Sequence, residues 1–549
     1  MRILGLTAFN RDAAAAIVDD GVTIAAAAEE RFTRVKHDAA FPRRAVRFCL
    51  GQAGISAQEL DWVVFAEKPS KRFERLLAEE IRAFPKSWLS FPRVLFPWFG
   101  DRLWVRGRVS EELGVPPEKV LFSESQRARA ANAYYNSPFD DAAVLVADEA
   151  LEWAATTLAH GKGNDLEILA EISHPNSLGL LAATASERLG LGGAEGIGRL
   201  FALAGCGEPR FAKEVGSVLK LESDGSYEID PALLERAISP AREPGGPLLW
   251  TDADRRHADL AASVVRVLGD ALLHVARELH RRVPVDDLCF GGTLAGSADL
   301  NARLIAEGPF KRLFVPPAPG DAGSALGAAL AATYGLEKPA RKPLPHAFLG
   351  EDVLEAETVS GQRAANDGEI VERLAGTLAQ GKTAGWVRGR FEWGARALGH
   401  RTILASPLRE GVREYVAASV KRREPFLPLC CAVPAERASE FFEVPAGAAS
   451  ASRFLQLSTA PKNGTKSSAP AVLHVDQRAR PHLVDRETDP LFHALLVRFG
   501  EQTGVPILLT TSLNQRGDPI ARGEADALAV LQRSQLDLLV VQDRIHTRS

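Results

Sequence analysis

Short apolar runs separated by polar turns open the chain and predict β-strands. The first run is ILGL, the second AAAAIVDDG and the third TIAAAAEERF, and the Asp-Asp-Gly triplet at 19–21 has the chemistry of a hairpin turn. The pattern predicts a β-meander at the start of an α/β domain.

A related pattern returns at 142–172. The segment AAVLVADEALEWAATTLAHGKGNDLEILAEI gives a strand, an acidic turn, a strand, a Gly-rich turn and a strand. Two halves that each begin with a hairpin around an Asp and later add helices favour the duplicated actin-like ATPase fold, which binds nucleotide between its halves. Two unrelated α/β segments would produce the same pattern, and the pattern alone leaves both interpretations open.

Between 258 and 331 the pattern changes to helices around a short strand. A long amphipathic stretch, DLAASVVRVLGDALLHVARELHRRV, precedes the strand DLCFGG and the segment GDAGSALGAAL. Gly320 and Gly323 mark a turn at a predicted helix N-terminus, where free N–H groups favour an anion, and Asp321 could face a metal or a ribose hydroxyl. Plain helix capping explains the same glycines.

The stretch 335–352, GLEKPARKPLPHAFLGED, is rich in proline and charge and has no periodicity, as is typical of a linker. We therefore place a domain boundary near Pro345 and predict domains at 1–345 and 346–549. Within the second domain, residues 444–470 are small and polar and predict a mobile loop or lid.

Length and composition agree with a multidomain globular protein. A chain of 549 residues exceeds one hydrophobic core, and 46% hydrophobic with 25% charged residues excludes wholesale disorder. The formal net charge of -4 gives no global electrostatic case for nucleic acid or an anionic membrane, so we expect neither partner, and any polyanion site must be local.

Cysteine usage and the N-terminus bear on localisation. Five cysteines, without metal-ligand spacing, argue against a disulfide framework or a zinc ribbon. We see neither a signal peptide nor a run of about 18 apolar residues. We therefore expect a cytoplasmic protein.

The densest group of candidate functional residues is GWVRGRFEWGARALGHRTIL at 385–404. Arg388, Arg390, Arg396 and Arg401 lie among glycines, and guanidinium groups so close together repel one another unless an anion joins them. Later segments add further cations and polar groups: Lys421, Arg422, Arg423, Arg480, Thr510, Thr511, Ser512, Asn514 and Arg516. The set suits phosphate binding, without a P-loop, although a solvated Arg-rich surface would have the same composition.

Eight segments in order resemble the O-carbamoyltransferases of antibiotic and nodulation-factor biosynthesis. They are ILGLTAFN, EERFTRVKHDAAFP, SPFDDAAVLVADEALEW, GDAGSALGAAL, GRFEWGARALGHRTIL, VKRREPF, RARPHLVDRETDP and GVPILLTTSLNQRGDPI. The resemblance covers nearly the whole chain. It implies an α/β fold in which an actin-like domain, similar to the one that transfers threonylcarbamoyl groups to tRNA, precedes a YrdC-like α/β domain.

The resemblance also implies a reaction. The C-terminal domain would convert carbamoyl phosphate and ATP, with Mg²⁺, to carbamoyl adenylate, and the N-terminal domain would pass the carbamoyl group to a hydroxyl of a small natural-product acceptor. The residues expected to catalyse the first step are Arg390, Arg396, Lys421, Arg423 and Ser512. The residues expected to bind the cofactor are Arg480 and Asn514, which match the motifs, with Arg401, Lys36, Gly320 and Gly323.

The sequence departs from the family at its metal site. The family's HHxxHAA helix motif holds a divalent metal, iron, together with two aspartates, and Asp148 and Asp321 match those aspartates. Ser125 and Arg129 stand at the two histidine ligand positions, and a guanidinium cannot ligate a cation. We therefore expect the metal site to be lost and hypothesise that Arg129 pairs with both aspartates, the alternative being that it points to solvent.

Other departures lie in the same domain. Asn10 stands where the family has a histidine suited to act as general base, GGTLAGSADLN replaces a GGVALN-type loop, and EALEW replaces DGVGEW. Lys36 and His37 are retained and could contact phosphate or substrate, although an isolated histidine is more often structural. Because the Arg motifs of the C-terminal domain survive, we infer a carbamoyltransferase-type enzyme with a divergent transfer site. The alternative is a half-catalytic or scaffold subunit that pairs with a complete homologue, and the resemblance suggests a dimer.

Overall fold

The computed structural model describes residues 1–193, 195–239, 252–353 and 361–548. Its strands are β1 Arg2–Thr7, β2 Ala14–Asp19, β3 Val22–Ala28, β4 Trp62–Phe65, β5 Val120–Phe122, β6 Asp141–Ala147, β7 Ala154–Lys162, β8 Asp165–Ser173, β9 Leu219–Leu221, β10 Tyr227–Ile229, β11 Asp287–Gly291, β12 Arg312–Phe314, β13 Gln362–Arg363, β14 Thr383–Val387, β15 Arg401–Ala405, β16 Cys430–Pro434, β17 Pro481–Val484, β18 Leu508–Ser512, β19 Leu538–Val541 and β20 Arg544–Thr547.

The α-helices are α1 Glu30–Thr33, α2 Arg43–Ala53, α3 Pro69–Arg82, α4 Phe91–Pro97, α5 Val105–Leu113, α6 Ser125–Tyr135, α7 Leu178–Arg188, α8 Gly196–Ala204, α9 Ala212–Gly216, α10 Pro231–Ala237, α11 Asp252–Arg282, α12 Ala298–Glu307, α13 Asp321–Leu336, α14 Asp367–Ala379, α15 Val412–Tyr415, α16 Ala438–Phe441, α17 Ala449–Ser452, α18 Asn463–Ser468, α19 Pro490–Thr503 and α20 Glu524–Arg533.

Two five-stranded sheets with the same strand order form the N-terminal domain. The first sheet has the order β3-β2-β1-β4-β5, and the second has β8-β7-β6-β11-β12. In both, the first three strands form an antiparallel meander and the last two run parallel to its first strand. The repetition matches the duplicated actin-like arrangement, so the two meanders are not unrelated segments.

Helices α6 and α13 bring the two halves together. They pack closely because glycines face the neighbouring backbone: a Cβ at Gly327 would lie 1.8 Å from the carbonyl oxygen of Ala128 on α6. On its other side, α13 approaches β1, where a Cβ at Gly5 would lie 1.9 Å from the carbonyl oxygen of Ala325. This packing places the N-terminus of α13 beside the middle of α6.

The C-terminal domain contains one mixed eight-stranded sheet, in the order β13-β20-β19-β14-β15-β18-β16-β17. Helices α14 and α19 cover one face through a core that includes Trp386 and Phe492. Helix α20 covers the other face through Val530 and Leu531. Each strand of the central pair β14 and β15 is buried along its whole length.

Between α13 and β13, the described residues 337–353 form neither helix nor strand, and the predicted boundary near Pro345 lies in this segment. The prediction of a mobile loop at 444–470 is wrong. This segment forms α17 and α18 and docks on the N-terminal domain, where a Cβ at Gly447 would lie 1.9 Å from the carbonyl oxygen of Lys311. Among the described helices, none combines the length and apolarity needed to cross a bilayer.

Candidate functional site

An arginine between two aspartates occupies the centre of the N-terminal domain. Arg129 projects from α6, Asp148 follows β6, and Asp321 begins α13. The Nε of Arg129 lies 2.7 Å from Oδ2 of Asp148, and its Nη2 donates to Oδ1 of Asp321. Arg129 is 1% exposed. The structure therefore pairs Arg129 with both aspartates, as hypothesised, and does not direct it to solvent.

Neutral donors satisfy most of the remaining carboxylate oxygens. Oδ1 of Asp148 accepts hydrogen bonds from the Thr293 hydroxyl and the Glu149 amide, each at 2.8 Å, and Oδ2 of Asp321 accepts one from the Asn10 amide at 3.2 Å. When both are ionised, the Asp148 and Asp321 carboxylates carry two negative charges, and the Arg129 guanidinium balances only one of them. Burial and the nearby Asp148 carboxylate raise the pKa of the Asp321 carboxyl, although Arg129 opposes the shift.

The divalent metal that the resemblance implies does not fit this arrangement. A cation bound by Asp148 and Asp321 would have to occupy the space that the Arg129 guanidinium fills, and like charges repel strongly in a buried site. Ser125, at the other histidine position, instead directs its hydroxyl and its amide to Glu152, at 3.2 Å and 2.9 Å. The residues predicted as weak metal ligands therefore bind a side chain.

A second ion pair lies next to the altered positions. Nη2 of Arg11 lies 3.0 Å from Oε1 of Glu149, so the residue after Asn10 pairs with the residue after Asp148. The opposite charges of Arg11 and Glu149 offset each other, and this second pair adds no net charge to the centre.

A histidine–aspartate pair lies near Asp321, whose pKa the Asp12 carboxylate helps to raise. Nδ1 of His37 lies 2.6 Å from Oδ1 of Asp12, and the His37 amide donates to Glu30 at 2.9 Å. Burial opposes protonation, but Asp12 and Glu30 raise the pKa of His37 above its ordinary value. The carboxylate fixes one ring nitrogen, and Nε2 has no hydrogen-bond partner among the described residues. Asp12, Glu30 and His37 also place their ligand atoms within 4.8 Å of one another, which would permit a metal ion there.

In the C-terminal domain, Lys421 is the centre of the predicted phosphate site. Its Nζ donates to the Ser512 carbonyl at 2.6 Å, to the Ser512 hydroxyl at 3.0 Å and to the Asn514 side chain. These acceptors are uncharged, and Lys421 is 3% exposed. Burial, together with the charges of Arg423 and Lys36, holds the pKa of Lys421 well below its usual range.

Other predicted cations of the C-terminal domain contact the N-terminal domain. Arg396 donates to the Gly296 carbonyl at 3.1 Å, and Arg480 pairs with Asp299 at 2.7 Å. Both partners belong to the altered GGTLAGSADLN loop. Arg423 donates to a backbone carbonyl, and its Nε is buried without a partner among the described residues. The cationic site therefore lies at the contact between the two domains.

Lys36 links the two centres. It forms an ion pair with Glu195, and despite the cost of burial Lys36 and Arg199 hold the pKa of Glu195 below its usual value. Lys36 is also close enough to Lys421 to lower that pKa. Sequence analysis missed Glu195, Asp299 and Asp12, since single acidic residues outside a motif give no distinctive signal.

Three predicted site residues make close contacts with the protein's own backbone. Arg401 is fully buried and donates to the carbonyls of Arg522, Arg388, His400 and Gly389, and burial lowers its pKa to about 10.

Arg390 donates to the carbonyls of Ile24, Leu349 and Gly350, which holds the domains together. A Cβ at Gly323 would lie 1.8 Å from the Ala318 carbonyl oxygen, so this glycine serves backbone packing. Gly320 has open space around it, because a Cβ there would meet no described atom nearer than the Thr293 hydroxyl oxygen at 3.8 Å.

The structure has one charged centre within the N-terminal domain and another at the contact between the two domains, and comparison with known sequences identifies the family. The carbamoyltransferase N-terminus family matches residues 2–330 and the carbamoyltransferase C-terminus family matches residues 375–548. The chain therefore belongs to the carbamoyltransferase family and is a transferase enzyme.

Two relatives match almost the whole length of this chain. The chain is 35% identical to the "Uncharacterized protein sll1178" of Synechocystis, covering 98% of this chain and 96% of that one. It is 32% identical to the nodulation protein NolNO of Sinorhizobium fredii, covering 97% and 78%. The (R)-2-hydroxyglutaryl-CoA dehydratase component A of Acidaminococcus fermentans is a structural neighbour at 14% identity and a TM-score of 0.36, covering 61% of this chain and 98% of that one.

Proposed function

We propose that the protein forms carbamoyl adenylate in a YrdC-like C-terminal domain and transfers the carbamoyl group to a hydroxyl of a small natural-product acceptor without a metal ion. Water and carbamoyl phosphate give carbamate and phosphate. The carbamate oxygen then attacks the α-phosphorus of ATP and releases pyrophosphate. In the transfer step the acceptor oxygen attacks the carbamoyl carbon, AMP leaves, and the hydroxyl proton passes to a base.

The observation that carries the first step is the buried Lys421 amine. Burying a cation against neutral acceptors is costly, and a phosphate oxygen at this point would supply the missing charge. Arg423 and Arg396 add donors that neutralise charge on the transferring phosphoryl and carbamoyl groups. With Ser512 and Asn514 beside Lys421, this cluster supports binding of ATP and carbamoyl phosphate. Mg²⁺ would accompany the ATP.

For the transfer step we assign the general base to His37. Asp12 holds its Nδ1, leaving Nε2 to accept the acceptor proton, which is the arrangement that a positioned base requires. This role compensates for Asn10, which replaces the family's histidine. Arg129, whose Nη1 is buried without a partner among the described residues, supplies positive charge where the family has a metal.

A carbamoyl-phosphate-dependent ATP–pyrophosphate exchange assay tests the first step. We expect exchange with the full chain and a loss of about two to three orders of magnitude in Lys421→Met, because removal of one preorganised donor has a cost of this size. Lys466→Met, an exposed lysine on α18, is the matched control and retains exchange. No exchange in the wild-type protein would refute the proposal.

A half-catalytic subunit is the second candidate, and Arg129 favours it because the family's metal centre is gone. In this case the protein would exchange pyrophosphate but require a complete homologue for transfer. Release of AMP in the presence of hydroxyl acceptors, with and without such a homologue, distinguishes the two. We propose a homodimer for the first candidate and a heteromer for the second.

A further inference from the structure

Eight large apolar side chains are exposed at the end of α3 and on the segment that joins α3 to α5. We call this part of the surface the aromatic surface. Its members are Ile81, Phe84, Trp88, Leu89, Phe91, Phe96, Phe99 and Trp104, whose exposed fractions range from 38% to 75%. Soluble domains rarely leave so many large apolar side chains together in water, and such patches mark interaction sites.

The same segment is strongly basic. Between 82 and 108 the sequence has six basic residues and one acidic residue, within a chain whose formal net charge is -4. Arg82, Lys86, Arg93 and Arg106 are exposed. The local charge is therefore opposite in sign to that of the whole molecule.

The aromatic surface is the outer face of a packed element. Trp98 and Leu95 on the inner face are 1% and 2% exposed. The guanidinium carbons of Arg72 and Arg102 lie 5.4 Å and 5.5 Å from the centre of the Trp98 ring. Since the inner side chains are anchored, the outward direction of the aromatic ones is fixed by the fold.

We propose that the aromatic surface docks on an anionic phospholipid membrane. Exposed Trp and Phe interleaved with Lys and Arg have the chemistry of segments that lie in the membrane interface, where aromatic rings enter the acyl boundary and cations contact lipid phosphates. Two copies of this chain meeting through the same surface would bring like charges together, which disfavours self-association. The proposal replaces the expectation of no membrane partner, which rested on net charge alone.

The docking surface is close to the transfer centre. Arg72, under which Trp98 packs, pairs with Glu67 at 2.8 Å and points its Nη2 to Oδ1 of Asn10 at 3.5 Å. Arg108 lies with its guanidinium carbon 4.6 Å from the centre of the Phe9 ring. Membrane contact is thus made by the side of the domain that contains the candidate transfer residues, and it does not depend on the proposed reaction.

Flotation of the full-length protein with vesicles tests the proposal. One set of vesicles consists of phosphatidylcholine, and the other also contains phosphatidylserine. We expect the protein to float with the second set at low ionic strength and to be released by salt, since charge attraction is screened. The absence of flotation with phosphatidylserine vesicles would overturn the proposal.

Variants locate the contact. We expect Phe84→Ser with Trp88→Ser to weaken binding by roughly tenfold for each ring, and Lys86→Glu to weaken it several-fold. The matched control, Leu336→Ser, changes an apolar residue that is 52% exposed outside the surface, and it retains wild-type binding.

Equal binding by all variants would refute the assignment. The same holds if sedimentation shows a concentration-dependent dimer that the Trp88 variant abolishes, because the surface would then join two copies of the chain.

Discussion

Replacing Arg129 with Met tests whether its guanidinium holds the centre of the N-terminal domain together. The change keeps much of the side-chain volume but removes the charge between Asp148 and Asp321. At an effective dielectric constant near 20, a pair of unit charges about 4 Å apart contributes about 4 kcal/mol. Desolvation of the ions offsets part of this, and breaking a buried pair costs about 3–5 kcal/mol. We expect a loss of that size in the free energy of unfolding at neutral pH.

The loss should depend on pH. Without Arg129, burial raises the pKa of the Asp321 carboxyl further. An acid whose pKa is higher in the folded protein loses stability as pH rises through the interval between its unfolded and folded values. The deficit of Arg129→Met is therefore smaller at pH 5 than at pH 8. Adding Asp321→Asn removes one unpaired charge and should restore part of the stability.

Urea unfolding at both pH values, followed by circular dichroism, measures these differences. Arg303→Met is the control, because Arg303 also bridges two carboxylates, Asp270 at 2.7 Å and Glu307 at 2.8 Å, but on the surface. It should cost less than about 1 kcal/mol. A loss below that value for Arg129→Met, or no recovery with Asp321→Asn, would refute the argument.

Three further outcomes follow from the two centres. Arg129 should keep divalent metal from binding to Asp148 and Asp321, so Ser125→His with Arg129→His should bind one more equivalent of metal than the wild type; elemental analysis that finds equal metal in both would contradict this. The acid limb of the transfer rate should lie above the ordinary histidine pKa, because Asp12 raises that of His37, and Asp12→Asn should move it to lower pH; an unmoved limb excludes His37 as the base. A bound phosphate should raise the pKa of Lys421, which burial holds low, so the calorimetric enthalpy should depend more strongly on buffer ionisation in the wild type than in Lys421→Met; equal dependence in both would contradict this.

The meander and its repetition were readable from sequence because strand period and turn residues are local signals. The pairing of Arg129 was also predictable, since two buried carboxylates need a cation and the sequence offers one at a ligand position. Which carboxylate oxygen each nitrogen of Arg129 contacts could not be predicted from composition or spacing, and only the structure shows it.

The roles of individual arginines in one motif were not predictable. Arg396 and Arg401 share residue type and glycine-rich surroundings, yet only Arg401 is enclosed by carbonyls, one of them from Arg522 more than a hundred residues away. Likewise the small residues of 444–470 indicate mobility by composition, but Gly447 permits close backbone contact with the other domain. Long-range packing decides both cases.

The altered residues around Asp148 and Asp321 bear on the choice between an active enzyme and a scaffold. Loss of a metal ligand without compensation would leave buried carboxylates unpaired, but Arg129, Thr293 and Asn10 all donate to them. These contacts stabilise the fold, and they are compatible with both an active transferase and a half-catalytic subunit. The Asp12–His37 pair is not needed for these contacts. Its Nε2 is buried without a partner among the described residues, as suits a base or a ligand of a bound ion. Of the features in this domain, that pair therefore argues most directly for retained transfer chemistry.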